Sequence, residues 1–153
     1  MPEIAHEEGI FRITKERNVA VAAWRDAPSV AQMRAFERVG LAMSRAHPAG
    51  TALFNVVLSG TPNFSNELRD ETTRISARKD MFTLATAHLV LVEGFVGVAV
   101  RAFLTTSMLL GKTSTPTKVF GKKDLAVDWV HGLLDPTGKT WTKEQLLALV
   151  ELA

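Results

Sequence analysis

Ala85–Gly111, ATAHLVLVEGFVGVAVRAFLTTSMLLG, joins two different apolar textures at Glu93-Gly94. His88–Val92 is a short run with the character of a strand buried on both faces. Phe95–Leu110 has helical spacing. A buried strand that feeds directly into a helix is half of a β-α-β unit, so this stretch places the chain in the α/β class.

The flanking sequence extends that pattern. Gly9–Thr14, GIFRIT, alternates apolar and polar residues and reads as an edge strand. Val19–Trp24, VAVAAW, reads as its hairpin partner across the polar turn Lys15–Asn18, where Asn18 is available for a positive φ. Ser29–His47 is a helix with Ser29 as N-cap, an apolar face through Val30, Met33, Phe36 and Met43, and a stop at Pro48-Ala49-Gly50. Thr51–Leu58, TALFNVVL, is a third strand. Ser65 or Asn66 caps a polar helix reaching about Phe82, with a thin seam of Leu68, Ile75, Met81 and Phe82.

Ala87–Val92 is then the fourth strand and Phe95–Leu110 the third helix. Thr117–Phe120 is a short fifth strand, and Asp124 caps a helix over Leu125–Leu134. Thr142 opens a last helix, Lys143–Leu152, with Thr142-x-x-Gln145 as a capping box. Trp141 precedes that helix and reads as its clamp. The expected fold is a mixed, mostly parallel five-stranded sheet with an edge hairpin, in β-β-α-β-α-β-α-β-α order with right-handed crossovers, plus a short C-terminal helix. Residues 1–8 are expected to be a tail, 9–135 the domain, and 136–153 the C-terminal helix packed on it.

Composition narrows the function classes. The chain has 153 residues, 46% of them hydrophobic, which suits one domain with a sizeable core. It has no cysteine, which excludes disulfides, thiolate metal sites and a cysteine nucleophile, and fits a reducing, cytoplasmic setting. The formal charge is +2 and no basic run exceeds two residues, so a nucleic-acid partner is not expected. The N-terminus is acidic and lacks the apolar core of a signal peptide. Thr83–Leu110 is apolar enough to suggest a membrane span, but His88, Glu93 and Arg101 interrupt it. A charged group at a helix centre in bilayer costs about 2.5–3.5 kcal/mol, so no span is expected.

Motifs for catalysis are missing. None of His6, His47, His88 and His131 has a His, Asp or Glu at metal-ligand spacing that forms a familiar motif, and His88 reads as a core histidine. Gly111-Lys112-Thr113 resembles the tail of a phosphate-binding loop, but position 106 is Thr106 and the segment follows a helix, so Gly111 reads as a helix stop. No nucleophile elbow occurs. Neither a catalytic residue, a metal site nor a cofactor is expected.

The element order, the strand-loop-helix at Asn55–Glu67, and the short strand, polar turn, Asp and Leu-x-x-Trp pattern at Thr117–Trp129 resemble the STAS family and the wider SpoIIAA-like group, which includes the anti-sigma-factor antagonists. The resemblance covers about Ile10 to Leu134. It implies a non-catalytic regulatory role through a protein partner: a regulator, a kinase or a second copy. In the antagonists a serine after the third strand is phosphorylated. The corresponding segment here, Ser59-Gly60-Thr61-Pro62-Asn63-Phe64-Ser65, keeps hydroxyls but lacks the aspartate and the Ser-Ser-Gly run of that motif.

Two rims are candidate sites. Ser59, Thr61, Asn63 and Ser65 are candidates for partner binding or phosphorylation, since a strand's carboxyl end followed by a helix N-terminus is where α/β sheets place ligands. The alternative is an ordinary connection with Ser65 as a cap. Glu93, Gly94 and Phe95 form the equivalent corner one unit later, either a ligand rim or a helix start that suits the dipole. Phe95–Leu110 is apolar with few charges. Its cover comes from the C-terminal helix, a second subunit or a lipid-like ligand, and the last of these gives the alternative function: a small-ligand or lipid carrier with an apolar cleft beside this helix.

Overall fold

The computed structural model describes residues 1–61, 64–135 and 137–153. Among these, six strands form one sheet whose spatial order is the chain order: β1 (Glu3–Glu8), β2 (Phe11–Glu16), β3 (Val19–Trp24), β4 (Ala52–Val57), β5 (Ala85–Val90) and β6 (Thr117–Phe120). β1, β2 and β3 pair antiparallel, and β3 through β6 pair parallel. The helices are α1 (Val30–Ala46), α2 (Asn66–Ser76), α3 (Gly94–Leu110), α4 (Lys123–Leu134) and α5 (Lys143–Val150).

The α/β class and the mixed sheet agree with the expectation, but the strand count is six rather than five. Residues 3–8 are the extra strand where a tail was expected, and β2 is therefore an inner strand, not an edge. β1 has few apolar residues to alternate. It is held by its ladder to β2 and by ion pairs from Lys15 to Glu3 (2.9 Å) and Arg12 to Glu7 (3.2 Å). The hairpin turn also differs: Arg17, not Asn18, takes the positive φ, at 51°. The Asn18 side chain instead donates to the Gly50 carbonyl (3.2 Å) and accepts from Trp141 Nε1 (3.0 Å).

Each parallel crossover carries one helix, so α1, α2 and α3 line one face of the sheet, the arrangement that right-handed crossovers between sequential neighbours produce. α1 starts at a reciprocal capping box between Ser29 and Gln32. α2 starts at Ser65, whose hydroxyl accepts from the Leu68 amide at 3.1 Å. It ends at Ser76, well short of Phe82. Met81 and Phe82 still reach the core, but from an irregular segment in which Phe82 holds φ 50° and its amide donates to Thr51 Oγ1 at 3.1 Å. α4 begins two residues earlier than expected, with Lys122 as cap and Asp124 inside the first turn.

The opposite face is closed by α4 and α5 over Val21, Phe54, Val56 and Leu89. α5 adds Leu146, Leu149 and Val150, each almost fully buried. Burial of three such side chains stabilises the packing by an amount on the order of 5 kcal/mol. Trp141 is 1% exposed and acts as the clamp the sequence suggested: its backbone amide donates to Asp135 Oδ2 (2.8 Å), its indole to Asn18, and Arg17 lies over its ring.

Candidate functional site

The face under α1–α3 is packed differently from the face under α4 and α5. Its inward residues in the middle strands are Leu53, Asn55 and Val57 on β4 and Thr86, His88 and Val90 on β5, set side by side by the parallel register. Asn55, Val57, Thr86 and His88 all keep accessible surface although they sit in central strands under a helical layer. The surface belongs to an internal cavity. Its volume is about 130 Å³, and it opens to solvent on one side. The expectation that His88–Val92 would be a strand buried on both faces is thereby corrected: the strand is Ala85–Val90, and part of its inner face borders empty space.

The helices line the cavity with a mixture of small and larger side chains. α2 presents Thr72, Ile75 and Ser76, and α3 presents Val100, Leu104 and Met108. Met33 and Phe36 of α1 form one wall, and Phe82 and Met81 another. Leu53 to Val57, which border it, span about 13 Å along the strand at a rise of about 3.3 Å per residue.

A chain of hydrogen bonds crosses its floor. Trp24 Nε1–H donates to Asn55 Oδ1 at 2.7 Å, and Asn55 Nδ2 lies 2.9 Å from His88 Nδ1. An indole can only donate, so Asn55 must turn its carbonyl oxygen to Trp24 and its NH2 to His88. His88 Nδ1 is then the acceptor, and the proton of the neutral ring sits on Nε2. Enclosure away from bulk water lowers the imidazole pKa to about 4, so His88 is neutral at physiological pH. Trp24 itself is fixed by stacking on Phe11, with ring centroids 3.8 Å apart.

The expected site residues divide. Ser59 and Thr61 line the mouth of the cavity. Ser59 Oγ donates to the Arg25 carbonyl (2.6 Å), and Thr61 donates to Asp26 Oδ1 through its amide (3.2 Å) and hydroxyl (3.4 Å). Asp26 also accepts from the Ala27 amide. These backbone bonds hold its carboxyl below the ordinary aspartate value, and the carboxylate ties the β3–α1 loop to the β4–α2 loop. Ser65 serves as the α2 cap. Asn63 lies outside the described residues. Glu93, Gly94 and Phe95 do not border the cavity. Glu93 is the α3 N-cap residue without a side-chain cap bond, and Gly94 supplies a positive φ of 69°.

Phe95 is 79% exposed and belongs to a shallow groove on the outer surface with Arg69, Ala99, Ala102 and Thr106. Phe64 and Phe103, stacked at 4.1 Å, border both this groove and the internal cavity, so the pair is a thin partition between them. The cavity runs beneath α3 to the sheet. What sequence reasoning missed was Asn55. Its signal was a polar residue in the apolar run TALFNVVL, at the same depth as His88 in the next strand.

Among the described residues no group of three or more histidines or carboxylates could hold a metal ion, and no helix is long and apolar enough to cross a membrane. No protein-family model, curated protein or solved structure matches this chain.

Proposed function

We propose that this chain is a non-catalytic binding protein for one small, mostly apolar molecule held between the sheet and helices α1–α3. One observation carries this reading: an apolar cavity large enough for a small molecule with an ordered polar relay, Trp24–Asn55–His88, on its floor. Protein interiors are close-packed, and unfilled apolar space costs stability, so an occupant is the economical explanation of such a space. A relay that fixes one tautomer of one imidazole orients a bound group. The only protein hydrogen bond of that imidazole among the described residues goes to an amide, an arrangement suited to recognition more than to proton transfer.

Native mass spectrometry of freshly purified protein tests the proposal. A retained small molecule, or stabilisation approaching about 2.7 kcal/mol at a hundredfold excess of ligand over its Kd, supports it. A clean apo mass, together with no thermal shift across apolar metabolites and lipids, sinks it.

A second reading, the STAS-like regulatory module in the cytoplasm, is favoured by one separate observation. Phe95 and Val98 stand 79% and 61% exposed at the start of α3, an apolar surface of the kind that partners cover. Sedimentation over a range of concentrations, compared between the native chain and a Phe95→Glu/Val98→Glu variant, tests self-association there. Association lost in the variant supports this reading. Monomers throughout remove its self-association form.

A further inference from the structure

Building on the binding role proposed above, we infer that the occupant is a small, neutral, mostly apolar molecule with one carbonyl-type oxygen, which accepts a hydrogen bond from His88 Nε2–H. The relay spends His88 Nδ1 on Asn55, while Nε2 has no protein acceptor among the described residues and the ring borders the cavity. A donor held in an apolar enclosure without an acceptor is costly, and a ligand oxygen relieves that cost. Three hydroxyl groups that line the cavity are spent within the protein, while the Thr86 hydroxyl beside His88 can donate as well. Thr72 Oγ1 donates to the Leu68 carbonyl (2.8 Å), Thr113 Oγ1 to Ser76 (3.1 Å) and Thr117 Oγ1 to Thr115 (3.0 Å).

The charges around the cavity select against an ionised ligand. Asp26 at the mouth is a carboxylate and repels another. Arg78 borders the space, but its guanidinium is taken by Asp80 (2.6 Å) and Glu37 (3.2 Å). A ligand carboxylate inside would be a buried charge with no free cation to meet it. A ketone, ester or amide oxygen needs one donor, and His88 supplies one.

Titration of the intact protein with methyl hexyl ketone, n-octane and octanoate, followed by tryptophan fluorescence and calorimetry, tests this. The ketone is expected to bind about fivefold more tightly than the alkane, the worth of one net hydrogen bond, and octanoate most weakly. In His88→Leu the alkane should bind as before and the ketone advantage should vanish. Should that variant fail to fold, nitrogen NMR of the native imidazole decides instead: the ketone, and not the alkane, is expected to move the Nε2–H signal. Equal binding of ketone and alkane, or an unmoved Nε2 signal, overturns the inference while leaving the cavity a binding site. Tightest binding by octanoate overturns it in favour of an anionic ligand. Failure of all three to bind counts against the binding role as well.

Discussion

Asn55 on β4 and His88 on β5 are direct neighbours across the parallel ladder, and the Asn55 amide nitrogen stands 2.9 Å from His88 Nδ1. The contact makes the histidine an acceptor, and protonation of Nδ1 would set two donors against each other. Enclosure away from water lowers the pKa to about 4, and this contact opposes protonation in the same direction. In the unfolded chain the ring titrates near about 6.5. Between these values the unfolded state binds a proton that the native state refuses, so stability falls as the pH drops from about 6.5 towards about 4, by an amount on the order of 3 kcal/mol, and is unaffected by this group above that window. Urea midpoints measured across the window should show this slope in the native chain. The slope should flatten in His88→Gln.

Filling the cavity should separate binding from folding. Thr86 faces the space beside His88, and its side chain makes no hydrogen bond among the described residues that a larger residue would break. Thr86→Leu adds apolar volume where there is none, and the expected result is a gain of about 1 kcal/mol in stability with loss of apolar ligand binding. Thermal melts and the ketone titration read the two effects. A variant that loses stability and still binds would mean the space lies elsewhere.

Much of the architecture was legible because its signals are local. Ser29 and Thr142 begin helices through capping boxes written in four residues, and β6 follows from a short apolar alternation between turns. β1 was not legible. EIAHEE has no apolar face, and what makes it a strand is a neighbour, β2, with Lys15 and Arg12 opposite its glutamates. α2 ran long in the reading because Met81 and Phe82 continue a helical spacing that the chain abandons at Ser76. There the tertiary bond from the Phe82 amide to Thr51 overrides periodicity. The cavity was only half legible. An apolar cleft beside residues 95–110 follows from a helix with too few charges. Its depth depends on Thr72, Ser76, Asn55 and His88 meeting from three elements, and no single stretch records that meeting.

Access to the cavity should depend on the Phe64–Phe103 partition. The two rings stack at 4.1 Å and separate the interior from the groove beneath Arg69. Phe103→Ala removes one leaf. The ring is half-buried, so the expected cost is about 1–2 kcal/mol, below that of a fully buried phenylalanine. Ligand should enter and leave faster, with little change in Kd, because the polar relay is untouched. Stopped-flow tryptophan fluorescence measures both rates. An unchanged association rate would place the route at the Ser59–Thr61 mouth instead.

Asp135 governs how the C-terminal helix is held. Its Oδ2 accepts from the Thr140 amide (2.6 Å), the Thr140 hydroxyl (3.0 Å) and the Trp141 amide (2.8 Å), while Oδ1 accepts from Thr137 (2.9 Å). The backbone donors of Trp141 and Thr140 hold the carboxyl far below the ordinary aspartate range. Through Trp141 and its indole bond to Asn18, this one carboxylate connects the turn after α4 to the β2–β3 hairpin. Asp135→Ala leaves two backbone amides without an acceptor and should lower the urea midpoint strongly. Asp135→Asn can keep its oxygen where Oδ2 now sits and turn its amide to Thr137, whose hydroxyl can accept, so its loss should be smaller. The native carboxylate contributes stability that is fully present above about pH 4 and is lost as the pH falls below it. The gap between the native chain and Asp135→Asn should therefore hold constant above about pH 4 and narrow in stronger acid, while an amide that cannot titrate contributes no slope of its own. Paired urea melts of the two chains through that range measure the gap. A gap that widens in acid would show that the aspartate is not the group holding α5.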